Sequence, residues 1–254
     1  IARLKARGVG LVYVSHKLDE IMAVADRVTV LRDGQRVACK ETVDLDEDRL
    51  IELMVGRELG QSFPAAGREP GENVLEVQGL TTDQVQDISF RVCAGEIVGF
   101  SGLMGAGRTE LARGLMGVDR RLAGSVVIAG VPVPANKPPA ARNLGLGLVP
   151  EDRRADGVFA QLSVRENTSV AALEQFCILG YVQEGLERRQ VGGLVERLKV
   201  RTPDQEQEMA KLSGGNQQKA LLARWLLKEN LKVLLIDEPT RGIDVGAKAE
   251  IYQL

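Results

Sequence analysis

The chain has 254 residues, 44% of them hydrophobic, with 27% charged and a formal net charge of −2. That is enough apolar material for one large core or parts of two. The near-balanced mixture of charges offers no field for gripping a polyanion, so no nucleic acid is expected as a partner.

In chain order, residues 1–7 read as a helix, and 9–14 (VGLVYV) as a β-branched buried strand after Gly8. Residues 17–25 carry Leu18, Ile21, Met22 and Ala25 at helical spacing. Residues 28–31 and 35–38 flank Asp33-Gly34, a hairpin turn whose central residues must accept positive φ. Another helix covers 48–55, and the polar, Pro/Gly-rich stretch 60–73 reads as a linker. Beyond it, 74–77 and 88–92 alternate like half-exposed antiparallel strands. Residues 96–100 (EIVGF) form an apolar run entering a glycine-rich turn, followed by a helix over 108–116. Residues 163–199 are mostly helical in pattern with no clear strand, and a further helix spans 216–228. The apolar run Val233–Ile236 follows, and 247–254 reads as a helix without a C-terminal cap. The chain opens without Met, so both ends are expected to lie inside a longer protein. Strands alternating with helices imply an α/β class with a parallel sheet and a helical insertion over 163–230.

Four stretches carry chemistry. Gly102, Gly105 and Gly107 sit between an apolar run and a helix, followed by Arg108 and Thr109. Such a turn lets backbone N–H groups crowd a polyphosphate at a helix N-terminus, and Thr109 is the candidate hydroxyl ligand for Mg²⁺. With Arg where Lys is expected, the same pattern also suits an ordinary strand–helix turn. Ser213, Gly214, Gly215 and Asn216 open an amphipathic helix, a second anion-binding arrangement. Asp237 and Glu238 end an apolar strand, placing two carboxylates side by side before Pro239-Thr240. His16, the single histidine, ends the first apolar run.

Leu212 to Lys219 (LSGGNQQK) resembles the signature motif of ATP-binding-cassette proteins, and the resemblance extends over essentially the whole chain. It implies a P-loop NTPase core with a parallel sheet, an antiparallel β subdomain and a helical signature subdomain. It also implies ATP and Mg²⁺ as cofactors, Asp237 as the metal-coordinating carboxylate and Glu238 as general base. His16 matches the switch histidine that orients the attacking water. Asp244 matches the aspartate of the loop that crosses the domain interface. In this family the switch histidine follows the paired carboxylates, yet His16 precedes Asp237 by more than two hundred residues. Two tandem domains resolve the order: 1–60 closes the first, 61–73 links, and 74–254 is a second domain lacking its own histidine.

SGLMGAGRTEL, VPEDRRADG and IDEPTRGIDVGAKAEIYQL resemble the tandem ATPases of ribose-, galactose- and xylose-type importers. The implied function is ATP hydrolysis that energises monosaccharide uptake. The implied partners are integral membrane permease subunits, indirectly a periplasmic or lipid-anchored sugar-binding protein, and the remainder of the tandem chain. The implied location is peripheral, on the cytoplasmic face of the bacterial plasma membrane. Alternatives are a soluble tandem ATPase acting on ribosomes or nucleic acid, and a non-hydrolysing nucleotide-binding regulator. Each nucleotide site is composite in this family. His16 and the 213–216 signature would then serve one site, and Arg108, Thr109, Asp237 and Glu238 the other. Three departures set the second site apart. Arg108 replaces the lysine, Glu151 stands near where a Mg²⁺-sensing glutamine is usual, and no aromatic ring lies between Leu80 and Asp87. Because 74–254 lacks the central strand that ends at a switch histidine, residues 9–14 are expected to insert between 97–100 and Val233–Ile236. That would bring His16 to Glu238 and Arg108.

Overall fold

The computed structural model describes residues 1–55, 71–103, 105–243 and 245–252, apart from His16 and Asp33. The chain divides into two compact units, Ile1–Ala65 with Gly242–Leu254, and Ala66–Arg241.

In the first unit, helices α1 (Ala2–Ala6) and α2 (Leu18–Val24) precede the hairpin of β1 (Arg27–Arg32) and β2 (Gln35–Glu41). The hairpin is the one the Asp33-Gly34 signal predicts; Gly34 has φ 75°, and Asp33 lies outside the described residues. Helix α3 (Glu47–Val55) follows, and the last helix, Val245–Tyr252, packs on it. The core gathers Leu18 and Ile21 from one face of α2, Val28 and Val30 from alternate positions of β1, and Leu45 and Leu50. Residues 9–14 form no strand, with Leu11, Val12, Tyr13 and Val14 exposed, so the expected insertion into a parallel sheet is not formed among the described residues. A β-branched run gains nothing as a strand until a neighbour takes up its backbone groups, and none among the described residues does.

The second unit opens with an antiparallel sheet of β3 (Asn73–Thr81), β4 (Ile88–Cys93), β5 (Ala123–Ile128) and β6 (Val131–Pro132), in the order β4-β3-β5-β6. Leu75 pairs with Val92 on one side and Ile128 on the other. Leu75, Val77, Leu80, Val126 and Ile128 are all buried. Helices α4 (Arg108–Met116) and α5 (Pro138–Asn143) lead to β7 (Leu146–Val149). Helix α6 (Val164–Ser169) and a 3₁₀ turn (Val170–Phe176) run into a small hairpin, β8 (Cys177–Ile178) and β9 (Tyr181–Val182), which the helical pattern had concealed. Helices α7 (Glu184–Arg197) and α8 (Gly214–Leu226) come before β10 (Val233–Ile236).

Strand β10 pairs in parallel with β7, from Val233↔Leu146 to Ile236↔Val149. Helix α8 is pinned to this pair by Trp225, whose Nε1 donates to the Leu148 carbonyl at 2.9 Å. The indole leaves room only for glycine at 147, where a Cβ would come within 2.8 Å of the ring. The run 96–100 is not a strand as expected. Ile97 is 95% exposed, because among the described residues no neighbouring strand takes up its backbone.

Two buried charged groups in the helical part are held by several hydrogen bonds each. Glu187, 1% exposed, accepts from Arg165 Nη1 and from Ser169 Oγ, each at 2.5 Å. Arg224 donates to the carbonyls of Asn167 (2.7 Å) and Gly157 (2.8 Å) and lies over the Phe159 ring. Burial pushes its guanidinium down to about 10, so it stays charged at neutral pH. Ser163 and Glu166 form a capping box at the start of α6. The Ser163 backbone N–H and hydroxyl both donate to the Glu166 carboxylate and hold it below the ordinary glutamate range. A depressed carboxylate stabilises the fold above its unfolded-state pKa, and that contribution disappears as pH falls through the folded value. Glu166→Gln is therefore expected to destabilise by about 1 kcal/mol at neutral pH. The difference from wild type should vanish toward acid in urea unfolding curves; a pH-independent difference would show that ionisation of Glu166 plays no part.

Candidate nucleotide site

The glycine-rich turn before α4 is built from left-handed backbone. Gly105 has φ 78° and Gly107, the N-cap of α4, has φ 90°. Gly102 faces Ala106, whose Cβ would come within 2.9 Å of a Cβ at 102. The turn therefore closes tightly and delivers Arg108 and Thr109 at the first positions of the helix. The buried side chain of Val85, in the stretch where an aromatic ring is absent, sits against Gly107.

Parallel pairing of β7 and β10 brings the residues after both strands to one edge, where sites form in open α/β sheets. Thr109 Oγ1 lies 2.6 Å from Asp237 Oδ2 and 3.0 Å from Glu151 Oε2. A hydroxyl has one proton, so it can donate to only one of these carboxylates at a time. The surplus charge is offset by Arg241, whose Nη1 pairs with Glu151 Oε1. Beside them, Arg108 Nη1 pairs with Glu238 Oε1 at 2.7 Å. Glu238 has φ 42°, a left-handed conformation unfavourable for a non-glycine residue and characteristic of functional positions. A cleft of about 290 Å³ opens alongside, lined in part by Thr109, Arg113, Pro150, Glu151, Asp152 and Asp237.

The signature segment starts α8, with Ser213 as N-cap and Gly214, Gly215 and Asn216 in the first turn, which carries no acidic residue. Asn216 Oδ1 accepts from the Arg201 backbone N–H at 2.8 Å, and this fixes its amide so that Nδ2 donates to Ser213 Oγ at 2.9 Å. The Ser213 hydroxyl therefore has its proton to donate outward, and Ser213 is exposed. A single π-helical turn, Arg153–Gly157, lies against this helix start. Asp152 caps the turn, accepting from the Arg154 and Ala155 backbone N–H groups, which lower its pKa.

Arg108, Thr109, Glu151, Asp237 and Glu238 thus form one polar cluster, while Ser213, Gly214, Gly215 and Asn216 form a separate helix start. His16 and Asp244 lie outside the described residues. Sequence reasoning missed Arg153, Gln217 and the pairing of Arg241 with Glu151. Arg153 and Gln217 lie inside the quoted VPEDRRADG and LSGGNQQK segments, but sequence alone does not reveal partners so distant.

Among the described residues no helix is long and apolar enough to cross a membrane. The chain is 49% identical over its full length to a ribose import ATP-binding protein of Rubrobacter xylanophilus and 47% identical to an arabinose import ATP-binding protein of Rhizobium etli. It spans 51% of each of these relatives, about half their length. Among solved structures, a dimeric ATP-binding cassette in a post-hydrolysis state bound to ADP and Pi resembles it with a TM-score of 0.59 at 19% identity. That match covers 70% of this chain and 80% of the other. The fold is thus the α/β fold of ATP-binding cassettes. Residues 85–241, the larger part of the chain, match the ABC transporter family, and the chain belongs to it.

Proposed function

We propose that this chain joins the end of one nucleotide-binding domain (1–60), through a linker (61–73), to a second (74–254). The whole protein would bind and hydrolyse ATP to drive monosaccharide uptake through integral membrane permease subunits. The observation that carries this reading is the convergence of Thr109, Asp237 and Glu151 at the N-terminus of α4, with the Arg108–Glu238 pair beside them. The sugar-import names of relatives aligned over the full chain supply the transported class.

A hydroxyl and a carboxylate within 2.6 Å form a hard-oxygen donor pair that fits Mg²⁺ and leaves coordination positions for phosphate oxygens and water. Thr109 and Asp237 would hold the ion, which when bound would neutralise charge between the terminal phosphates. Gly102, Gly105, Gly107 and Arg108 would cradle the phosphates, Glu151 would sense the metal site, and Glu238 would serve as general base. Ser213 to Asn216 and His16 would complete the other composite site, with Asp244 at the domain interface. The protein would sit peripherally on the cytoplasmic face of the bacterial plasma membrane, served by a sugar-binding protein acting through the permease.

The test is reconstitution of the full-length protein with its permease and binding protein in liposomes. ATP-dependent uptake of ribose, galactose, xylose or arabinose is expected. ATP hydrolysis stimulated by ribosomes or DNA, with no sugar uptake, would replace this reading by that of a soluble ATPase.

A further inference from the structure

The Arg153 side chain reaches both the helix that starts at Ser213 and the loop after Glu238. Its Nε donates to Gln217 Oε1 at 3.3 Å, in the first turns of the signature helix. Its Nη1 donates to the Arg241 carbonyl at 2.8 Å, three residues after Glu238. A methyl group at Gly214 would collide with Nη2, so the guanidinium lies directly against the signature glycine. Gln217 is buried, and its Nε2 donates to the Met209 carbonyl at 3.1 Å, which fixes the orientation of the amide that accepts from Arg153. The same loop residue, Arg241, gives its side chain to Glu151. Residues 151 and 153 thus clasp Arg241 by its guanidinium and by its main chain, and 153 extends the clasp to α8. A planar guanidinium can bridge such divergent acceptors where an ammonium on a flexible stem cannot hold both.

We propose that Arg153 is a positioning residue that couples the carboxylate loop of the Arg108 site to the signature helix. The proposal rests on the ATPase reading above. Under that reading the signature serves the opposite nucleotide, so Arg153 connects one composite site to the other. Displacement of the 238–241 loop on nucleotide binding would be passed to Ser213 through two hydrogen bonds, with no substrate contact by Arg153 itself.

The test uses the full-length protein, with kcat normalised to nucleotide bound per molecule so that unfolded material does not count. Arg153→Met is expected to lower kcat about 10-fold or more, since small misplacements of positioned groups have effects of that size or larger. KM for ATP should stay within about 2-fold of wild type, because the phosphate-loop contacts are untouched. Arg153→Lys should recover part of the loss. Gln217→Leu should add little to Arg153→Met, since both remove the same link. If Arg153→Met proves poorly folded, Arg153→Gln, whose shorter polar side chain cannot span both acceptors, should give the same split. An unchanged kcat per bound nucleotide in Arg153→Met or Arg153→Gln overturns the proposal, as do additive losses with Gln217→Leu. A wild-type protein without ATPase activity would instead refute the ATPase reading, and the two failures are told apart by that control.

Discussion

Ser213→Asp in the full-length protein is expected to abolish sugar uptake and ATP hydrolysis while leaving the fold intact. The fold survives because aspartate caps a helix as well as serine does, and a negative charge is favourable at a helix N-terminus. Ser213 is exposed with extended backbone, so no buried volume changes. Asn216 Nδ2, oriented by its bond from Arg201, would donate to the new carboxylate as it now does to the hydroxyl. Catalysis suffers because the same carboxylate would face the terminal phosphate of the opposing nucleotide. Two like charges about 4 Å apart at a protein surface repel by about 4 kcal/mol, roughly a thousandfold in rate. Ser213→Ala removes one donor and should cost only about tenfold. Gly215 is a less clean position, since it is buried and a carboxylate there would also lose its hydration. Thermal unfolding and nucleotide turnover measured on the same preparation separate the two effects. Normal uptake by Ser213→Asp would mean that this helix start does not face a phosphate.

The candidate site residues were legible in the sequence because they rest on particular residue types at short spacing. Glycines around Arg108, the Ser213-Gly214-Gly215 start and the Asp237-Glu238 pair each have a local physical reason, and the structure brings Arg108, Thr109, Glu151, Asp237 and Glu238 into one polar cluster. The hairpin at Asp33-Gly34 and the alternation of β3 and β4 were legible for the same reason, because turn chemistry and period-2 burial are local. Strands that depend on a distant neighbour were legible only in part: the apolar run of β10 was, its partner β7 was not. Among the described residues, 9–14 and 96–100 have strand composition but no ladder, while β5 and β7 form against β3 and β10, which lie far away in sequence. Composition reports what a segment can do; pairing depends on which edge is available to it. Arg153 and Arg241 were invisible for a related reason: their partners, 64 and 90 residues away, are brought close only by the fold.

Arg108→Ala is expected to reduce ATP hydrolysis of the full-length protein by no more than about 3-fold, against a loss of about 100-fold in His16→Ala. The asymmetry follows from what Arg108 does in this structure. Its guanidinium is committed to Glu238 at 2.7 Å, so the phosphate-loop cation and the candidate base neutralise each other. The pairing occupies the carboxylate oxygen, and an arginine so engaged must release it to reach a phosphate. The pair is partly exposed, 34% and 41%, so breaking it costs little, but no lysine among the described residues of the cluster stands in for the compact ammonium of an ordinary phosphate loop. Val85, in place of a ring beside Gly107, offers an adenine only a small aliphatic surface. Arg108→Lys supplies the complementary measurement. It should tighten nucleotide binding at this site, read as a second equivalent in equilibrium titration, without raising uptake, because the proposed assignment gives turnover to the site served by His16 and Ser213. Comparable losses in Arg108→Ala and His16→Ala would show instead that both sites hydrolyse, and that the Arg108–Glu238 pair opens readily when ATP arrives.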